Sequence, residues 1–417
     1  MASRSRIASA SALAFSAALL VAWSGEARSI KSPKALAAQL MRTGEVPGLA
    51  MAIIRNGSVS QVSALGFADQ RSQRRVTDNM IFEAASLSKP VVAYAVLKLV
   101  DGHRFTLDDL IANYVDGGPL AADPRWPRIT IRMLLSHTSG LPNELRPGED
   151  LTIGFEPGSR FSYSGIGYSY LQQAIEKTTG HGFEEEIEQL VFQPLDMNDS
   201  SFVWRADYED RKAAGHTSIG SVNVMRKPET AKAPSSLHTT ARDYGKFLAA
   251  VLNHRGLTEA TWTAMTTPVI TVQKGCLVCI GKPEGPAFES VSWGLGWGIE
   301  TVGSKRFIFH WGENNGDFHT FAIGRPATKT GLVALTNSGN GLSIIPAITE
   351  RVLASTHHAF DWMGYDRYDS PARVAQRQIV SSGAAKVIGK VIVNVHPVPS
   401  PSLLPASSPP CTVRLVP

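Results

Sequence analysis

The sequence predicts a mixed α/β (α+β) fold, in which an antiparallel sheet flanked by helices carries a mostly helical inserted region. Short apolar segments of strand length lie in two groups, one near each end of the chain. Between these groups, over residues 79 to about 267, apolar residues recur at helical spacing. A two-residue hairpin turn joins the first two segments, so neighbouring strands should run antiparallel.

The strands from the two ends are expected to form one sheet. A buried strand is predicted over residues 48–55 and its partner over 58–67, because Asn56-Gly57 between them is a favoured hairpin turn. A helix is predicted from 342 to about 356. Four apolar segments near the other end predict consecutive short strands: 294–300, 307–311, 320–323 and 332–336.

These elements divide the body of the chain, residues 28–369, into two regions. The sheet region is predicted at about 28–75 and 290–365, and the helical region at about 76–289. A body of this length can bury a substantial hydrophobic core.

Both ends of the chain differ in composition from this body. Residues 1–27 predict a secretory signal peptide, with Arg4 and Arg6 before an apolar run over 7–23 and small residues at the cleavage site. Residues 370–417 predict a disordered tail, because they are rich in proline and serine. We therefore expect a bacterial protein that is periplasmic or secreted, with no transmembrane segment after signal removal.

The charge distribution argues against a nucleic-acid partner. The formal net charge is +5, and the tail alone carries five basic residues and no acidic one. Because residues 1–27 add a further +1, the body has a net charge of −1. The high isoelectric point therefore reflects the tail and does not indicate a basic binding surface.

Three cysteines are too few for a disulfide-stabilised scaffold. Cys276 and Cys279 form a C-x-x-C pair in a glycine-containing loop, with no second pair near enough in sequence for a zinc site. A small structural disulfide between them is one interpretation, and it would leave Cys411 unpaired. We expect neither a metal nor another cofactor.

The most informative motif is Ser86-Leu87-Ser88-Lys89, which precedes an apolar helical run over 91–100. On a helix that begins at Ser86, residues three apart share a face, so the Ser86 hydroxyl and the Lys89 amine can meet. A serine becomes an effective nucleophile when an adjacent base takes its proton, and free N–H groups of a first helical turn favour developing negative charge. Taken alone, the same residues also fit an N-cap serine beside a solvated lysine.

Two later segments complete the constellation. Residues 156–168 place Tyr163 in a short extended piece after a Pro-Gly turn, before a helix predicted over 168–179. Residues 307–316 run from an apolar strand through His310 into glycine, where backbone can approach a ligand closely. Taken singly, Tyr163 also fits a half-buried core tyrosine, and His310 a residue that bonds beside its strand.

In this order, Ser-x-x-Lys, Tyr-Ser-x and His-x-Gly resemble the motifs of the penicillin-recognising serine hydrolases, a β-lactamase-related superfamily. The chain looks most like the branch that holds class C β-lactamases, low-molecular-weight D,D-carboxypeptidases and family VIII carboxylesterases. The resemblance covers roughly residues 34–365 and implies a β-lactamase/transpeptidase-like fold, with the active site between the sheet and helical regions. Four further segments match family motifs: 134–142 (LLSHTSGLP), 193–197 (QPLDM), 236–243 (SLHTTARD) and 294–297 (GLGW).

By this resemblance, Ser86 is the acylated nucleophile, and Lys89 and Tyr163 share the proton transfers. Tyr163 would need a cationic neighbour, Lys89, to act as a base near neutrality, because an unperturbed phenol has a pKa of about 10. His310 is expected in the catalytic group. The oxyanion hole would consist of the backbone N–H groups of Ser86 and Glu313.

Two positions depart from the family pattern. Gly165 stands where the second motif commonly has an asparagine, whose amide contacts the lysine and the acyl-amide group of the substrate. In the third motif, His310-Trp311-Gly312, Trp311 replaces a small hydroxyl residue that helps to bind a substrate carboxylate. His137, in the LLSHTSGLP segment, is interpreted as a structural residue that satisfies turn backbone.

The sequence therefore predicts an exported serine hydrolase that cleaves an ester or amide bond through an acyl-serine intermediate. It would be esterase-like or D,D-peptidase-like, with a small-molecule or peptidoglycan-derived substrate. The alternatives are a β-lactamase of class C type and a non-catalytic penicillin-binding sensor or binding module. The oligomeric state is left open.

Overall fold

A computed structural model describes residues 32–371 and 373–374. The predicted signal peptide, nearly all of the predicted tail and Cys411 lie outside the described residues. Across residues 32–371, no helix has both the length and the apolar character needed to span a bilayer.

Nine strands in the described part of the chain form one antiparallel sheet, and two more form a separate short ladder. The strands are β1 Gly48–Arg55, β2 Ser58–Asp69, β3 Arg74–Arg75, β4 Phe82–Glu83, β5 His238–Thr239, β6 Ile270–Gln273, β7 Ala287–Trp293, β8 Gly298–Val302, β9 Lys305–Asn314, β10 Phe318–Arg325 and β11 Thr330–Thr336. Their order across the sheet is β3-β2-β1-β11-β10-β9-β8-β7-β6, and β4 pairs with β5.

Helices cover both faces of this sheet, so the core has two layers. The α-helices are α1 Pro33–Thr43, α2 Ser88–Asp101, α3 Ile131–Leu135, α4 Ile166–Thr179, α5 Phe183–Ile187, α6 Ala241–Leu252, α7 Glu259–Thr266, α8 Ile345–Leu353 and α9 His358–Met363. Side chains of α2 and α6 belong to the hydrophobic cluster on one face. Those of α1, α8 and α9 belong to the cluster on the other.

Strand β1 shows why the sheet is stable. Leu49, Met51 and Ile53 join the cluster with α1, α8 and α9, whereas Ala50 and Ala52 join the opposite cluster. Fully burying a Leu, Ile or Met side chain contributes about 1.5–3 kcal/mol. The strand is therefore apolar at nearly every position, as expected for a central strand with helices on both sides.

The predicted hairpin is confirmed. Asn56 and Gly57 have φ angles of +50° and +73°, as a two-residue turn with right-handed strand twist requires. On its other side β1 pairs with β11, with Leu49 opposite Thr336. The mixed α/β fold with a large antiparallel sheet built from both ends of the body is therefore confirmed.

Some element boundaries differ from the prediction. The segment predicted as a strand over 294–300 turns at Gly296 (φ +83°), and β8 begins at Gly298. A Cβ on Gly296 would lie 2.2 Å from the Ala93 Cβ, so helix α2 packs directly against this turn. The second group of sheet strands begins with β6 at Ile270, earlier in the chain than the boundary predicted near 290. The last predicted helix is shorter, at Ile345–Leu353.

Candidate active site

Ser86 lies in a tight turn between β4 and α2. A 3₁₀ turn, Ala85–Leu87, joins the two elements, and α2 begins at Ser88, two residues later than predicted. Ala85 has a φ of +52°, in the left-handed region that is strained for a residue with a Cβ. Such strain concentrates at functional sites. Ser86 is partly exposed here, while the residues on both sides of it are buried.

Lys89 reaches back from the first turn of α2 to the serine. Its Nζ lies 2.9 Å from Ser86 Oγ and 2.8 Å from the backbone oxygen of Pro234. The side chain is 1% exposed. Burial lowers the pKa of Lys89 to about 7, because the charged amine loses its hydration. A substantial fraction is therefore neutral near pH 7 and can accept a proton.

Tyr163 lies on the other side of the lysine. Lys89 Nζ is 4.8 Å from the centre of the Tyr163 ring, and Tyr163 Oη makes no hydrogen bond to the described residues. Burial raises the pKa of Tyr163 well above its ordinary value of 10, and the nearby Ser86 hydroxyl offsets this only in part. The phenol is therefore protonated at neutral pH. This differs from the expectation that Lys89 would lower the pKa of Tyr163 enough for it to act as a base.

The third motif lies on β9, and the rings of His310 and Trp311 stack with their centres 5.4 Å apart. His310 Nδ1 lies 2.7 Å from the Trp311 carbonyl oxygen, and its Nε2 makes no hydrogen bond within the described residues. Because a carbonyl only accepts, Nδ1 carries the proton. Burial and the nearby Lys89 lower the pKa of His310 to about 3, so the ring is neutral. Trp311 packs on Tyr163, with ring centres 5.1 Å apart.

Gly312 allows β9 to approach Ser86 closely. A Cβ there would lie 2.3 Å from the Ala84 oxygen and 2.9 Å from Ser86 N, so a larger residue would push the strand away. Strand β8 pairs with β9 only as far as Phe309, which leaves the following residues to border the turn at Ser86. The Glu313 side chain accepts a hydrogen bond from Tyr365 Oη at 3.1 Å.

Gly165 directly precedes α4, and close packing against Asn143 favours a glycine at this position. A Cβ on Gly165 would lie 2.5 Å from the Asn143 backbone oxygen and 3.2 Å from Asn143 Oδ1. Gly165 N also donates to the Asn143 oxygen at 3.2 Å. An asparagine could replace Gly165 only if the segment at Asn143 moved.

The site therefore brings together Ser86, Lys89, Tyr163, His310 and the Trp311-Gly312 pair. Pro234, whose carbonyl contacts Lys89, could not be recognised from the sequence, because a backbone oxygen has no residue-type signature.

A buried charge network adjoins the turn that carries Ser86, and it could not be predicted from the sequence. Glu83, three residues before Ser86, lies 2.8 Å from Lys212 Nζ and accepts from Arg226 at 2.8 and 3.0 Å. Arg226 also binds Asp317, at 2.7 Å, in the turn after β9. Burial would raise the pKa of Glu83, but Lys212, Arg226 and His238 lower it to about 2. The network connects the strand before Ser86 to the strand that carries the third motif.

The β-lactamase family model matches residues 34–353 of this chain. The chain belongs to the β-lactamase family. This is a family of β-lactamase-fold serine hydrolases, and the resemblance drawn from the motifs is confirmed.

Individual relatives are distant. Protein flp of Staphylococcus aureus (strain MRSA252) is 24% identical over 336 residues, which cover 75% of this chain and 63% of that protein. The chain therefore matches less than two thirds of that relative's length. Esterase EstB of Burkholderia gladioli is 30% identical over 194 residues, which cover 40% of this chain and 49% of EstB.

A solved structure shares the fold. The octameric penicillin-binding protein homologue from Pyrococcus abyssi superposes with a TM-score of 0.66 at 22% identity, covering 78% of this chain and 77% of that one.

Proposed function

We propose that this protein is an exported serine hydrolase that cleaves a carboxylic ester, or less readily an amide, through an acyl-Ser86 intermediate. The observation that carries the proposal is the 2.9 Å contact between Ser86 Oγ and Lys89 Nζ, made by a lysine whose pKa burial lowers to about 7. A buried amine that can be neutral at this distance is suited to accept the serine proton.

The catalytic steps follow from the protonation states. Neutral Lys89 takes the proton from Ser86 Oγ as that oxygen attacks the substrate carbonyl. The Ser86 and Glu313 N–H groups stabilise the oxyanion, a contribution of about 10²–10³ in rate for one such donor. Tyr163, protonated at rest, gives its proton to the leaving group and regains one from Lys89. Water then attacks the carbonyl carbon of the acyl-Ser86 ester and gives one proton to Lys89, which is neutral again. As the bond from that carbon to Ser86 Oγ breaks, Lys89 returns this proton to Ser86 Oγ, and the acid leaves.

Gly165 and Trp311 favour esters among the possible substrates. Gly165 provides no side-chain amide for the acyl-amide group of a penicillin or a D-Ala-D-Ala peptide. Trp311 provides no hydroxyl for a carboxylate. Without these hydrogen-bonding partners, the site has little preference for penicillins or D-Ala-D-Ala peptides over other substrates. A short ester needs neither contact, and the similarity to an esterase, EstB, is consistent with this choice.

The test is covalent labelling with a fluorophosphonate and with a fluorescent penicillin, mapped by mass spectrometry. We expect the adduct on Ser86, hydrolysis of short-chain p-nitrophenyl esters, and weak turnover of cephalosporins. Ser86→Ala should abolish labelling, while Ser159→Ala, at an exposed serine, should retain it. An adduct on another serine would refute the assignment. A stable penicillin adduct without ester hydrolysis would favour a binding module instead.

A further inference from the structure

We propose that His137 is a positioning residue for Tyr163, which holds the backbone on both sides of that tyrosine so that its phenol faces Ser86 and Lys89. The inference rests on the proposed function, because it assigns a role in the same reaction. It extends the interpretation of His137 as a structural residue that satisfies turn backbone, because the backbone that it binds flanks Tyr163.

The first observation is a pair of hydrogen bonds from the residues that flank Tyr163. Ser162 N donates to the His137 backbone oxygen at 2.9 Å, and Ser164 N donates to His137 Nδ1 at 3.0 Å. One residue therefore accepts both N–H groups beside the tyrosine. His137 has a φ of +57°, a conformation that is costly for a side chain with a Cβ.

The second observation is the packing of the imidazole ring. His137 is fully buried, and its ring centre lies 4.3 Å from that of Tyr163. Trp293 and Tyr168 lie on other sides of the ring, each with centres 5.3 Å away. Lateral shifts of the Tyr163 ring are therefore limited by the same residue that holds its backbone.

The hydrogen bonds also decide between positioning and proton transfer. Because Nδ1 accepts from Ser164 N, the neutral ring carries its proton on Nε2, which makes no hydrogen bond within the described residues. Protonation at Nδ1 would break the bond to Ser164. Burial, followed by the nearby Lys89 and His310, lowers the pKa of His137 well below its usual range, which keeps the ring neutral.

The test compares three variants by steady-state kinetics with p-nitrophenyl butyrate. His137→Asn places an amide oxygen close to the position of Nδ1, whereas His137→Gly removes the acceptor, and both residues tolerate a positive φ. His137→Gln keeps the side-chain volume but moves the acceptor one bond further out. We expect kcat within about threefold of wild type for Asn, and about 10²-fold lower for Gly and Gln, since small misplacements of catalytic groups cost about this much. KM should change less than about threefold, because Tyr163 acts in the chemical steps.

Equal loss in the Asn and Gln variants, each shown to be folded by circular dichroism, would overturn the inference and indicate simple packing. Full activity in His137→Gln or His137→Gly would also overturn it. If His137→Gly fails to fold, the comparison of Asn with Gln decides alone. Failure of the proposed function has a different signature, because wild type itself would then not be labelled at Ser86.

Discussion

The Pro234 carbonyl oxygen lies 2.8 Å from Lys89 Nζ, although the two residues are 145 positions apart in the chain. In the family pattern, the amide of an asparagine at the position of Gly165 contacts the lysine. Here a backbone oxygen makes a polar contact with the amine, and the Ser86 hydroxyl makes another. The lysine is thus held in place without the second-motif asparagine. In the mechanism that we propose, the departure at Gly165 therefore concerns substrate binding more than the base.

The first prediction concerns pH. We expect kcat/KM for ester hydrolysis to rise as pH increases through about 7, because burial lowers the pKa of Lys89 to about 7 and only the neutral amine accepts the serine proton. His310, with a pKa lowered to about 3 by burial, should not produce this rise. The measurement is a profile of kcat/KM between about pH 5.5 and 8.5, which spans the titration of Lys89. A flat profile would contradict the assignment of Lys89 as the base.

Features that depend on short-range sequence were predicted well. The Asn56-Gly57 turn fixes the first hairpin through the φ angles these two residues tolerate, and the three-residue spacing of Ser86 and Lys89 sets their contact. The exact helix start was not predicted, because Ala85 adopts a φ of +52° that its residue type disfavours. The surrounding structure imposes that conformation.

Long-range contacts could not be predicted from one sequence. Nothing about Asn143 indicates that its backbone oxygen would occupy the space beside Gly165. Arg226 lies in a loop, and its simultaneous contacts to Glu83 and Asp317 depend on how distant segments meet in the folded chain.

The second prediction concerns the cost of burying Lys89. Its pKa is about 7 in the folded protein and 10.5 ordinarily, so between these values the unfolded chain holds a proton that the folded protein has released. The free energy of unfolding should therefore rise with pH in that window, by about 1.4 kcal/mol per pH unit for this group. In Lys89→Met this contribution is absent.

Between pH 7.5 and 9, the unfolding free energy of wild type should increase by about 2 kcal/mol more than that of Lys89→Met. Urea denaturation of both proteins at the two pH values measures this. The unpaired Pro234 carbonyl in the variant affects both pH values alike and cancels. A difference that does not change with pH would show that Lys89 is not strongly desolvated.

The third prediction tests the buried charge network around Glu83, next to the turn that carries Ser86. Glu83→Gln leaves Lys212 and Arg226 short of a buried partner, and breaking such a pair costs about 3–5 kcal/mol. Because the pKa of Glu83 is lowered to about 2, this stabilisation is present above pH 4.5 and is lost as pH falls toward 2. Urea denaturation at pH 7 measures the loss.

The matched control is Glu209→Gln, which removes the exposed ion pair with Lys227. Exposed ion pairs contribute about 0–1 kcal/mol, so the unfolding free energy of this variant should lie within about 1 kcal/mol of the wild-type value. Similar losses in the two variants would contradict the distinction between a buried network and a surface pair.

The last prediction concerns the disulfide between Cys276 and Cys279, which closes a short loop next to Tyr163. Within this loop, the Leu277 oxygen accepts from Tyr163 N at 2.9 Å, and Cys279 N donates to Ser162 Oγ at 2.9 Å. The loop therefore binds the same stretch of backbone, residues 162–164, that His137 also contacts.

Reducing the disulfide should lower kcat several-fold, because the loop gains freedom and constrains Tyr163 less. The effect on stability should be small, since the chain-entropy model gives only about 2 kcal/mol for so short a loop. The measurement is p-nitrophenyl butyrate hydrolysis before and after treatment with dithiothreitol, and the control is the Cys276→Ser, Cys279→Ser double variant. That variant should start at the reduced level of activity and not respond to the reductant. An equal response in both proteins would place the sensitive group elsewhere in the chain.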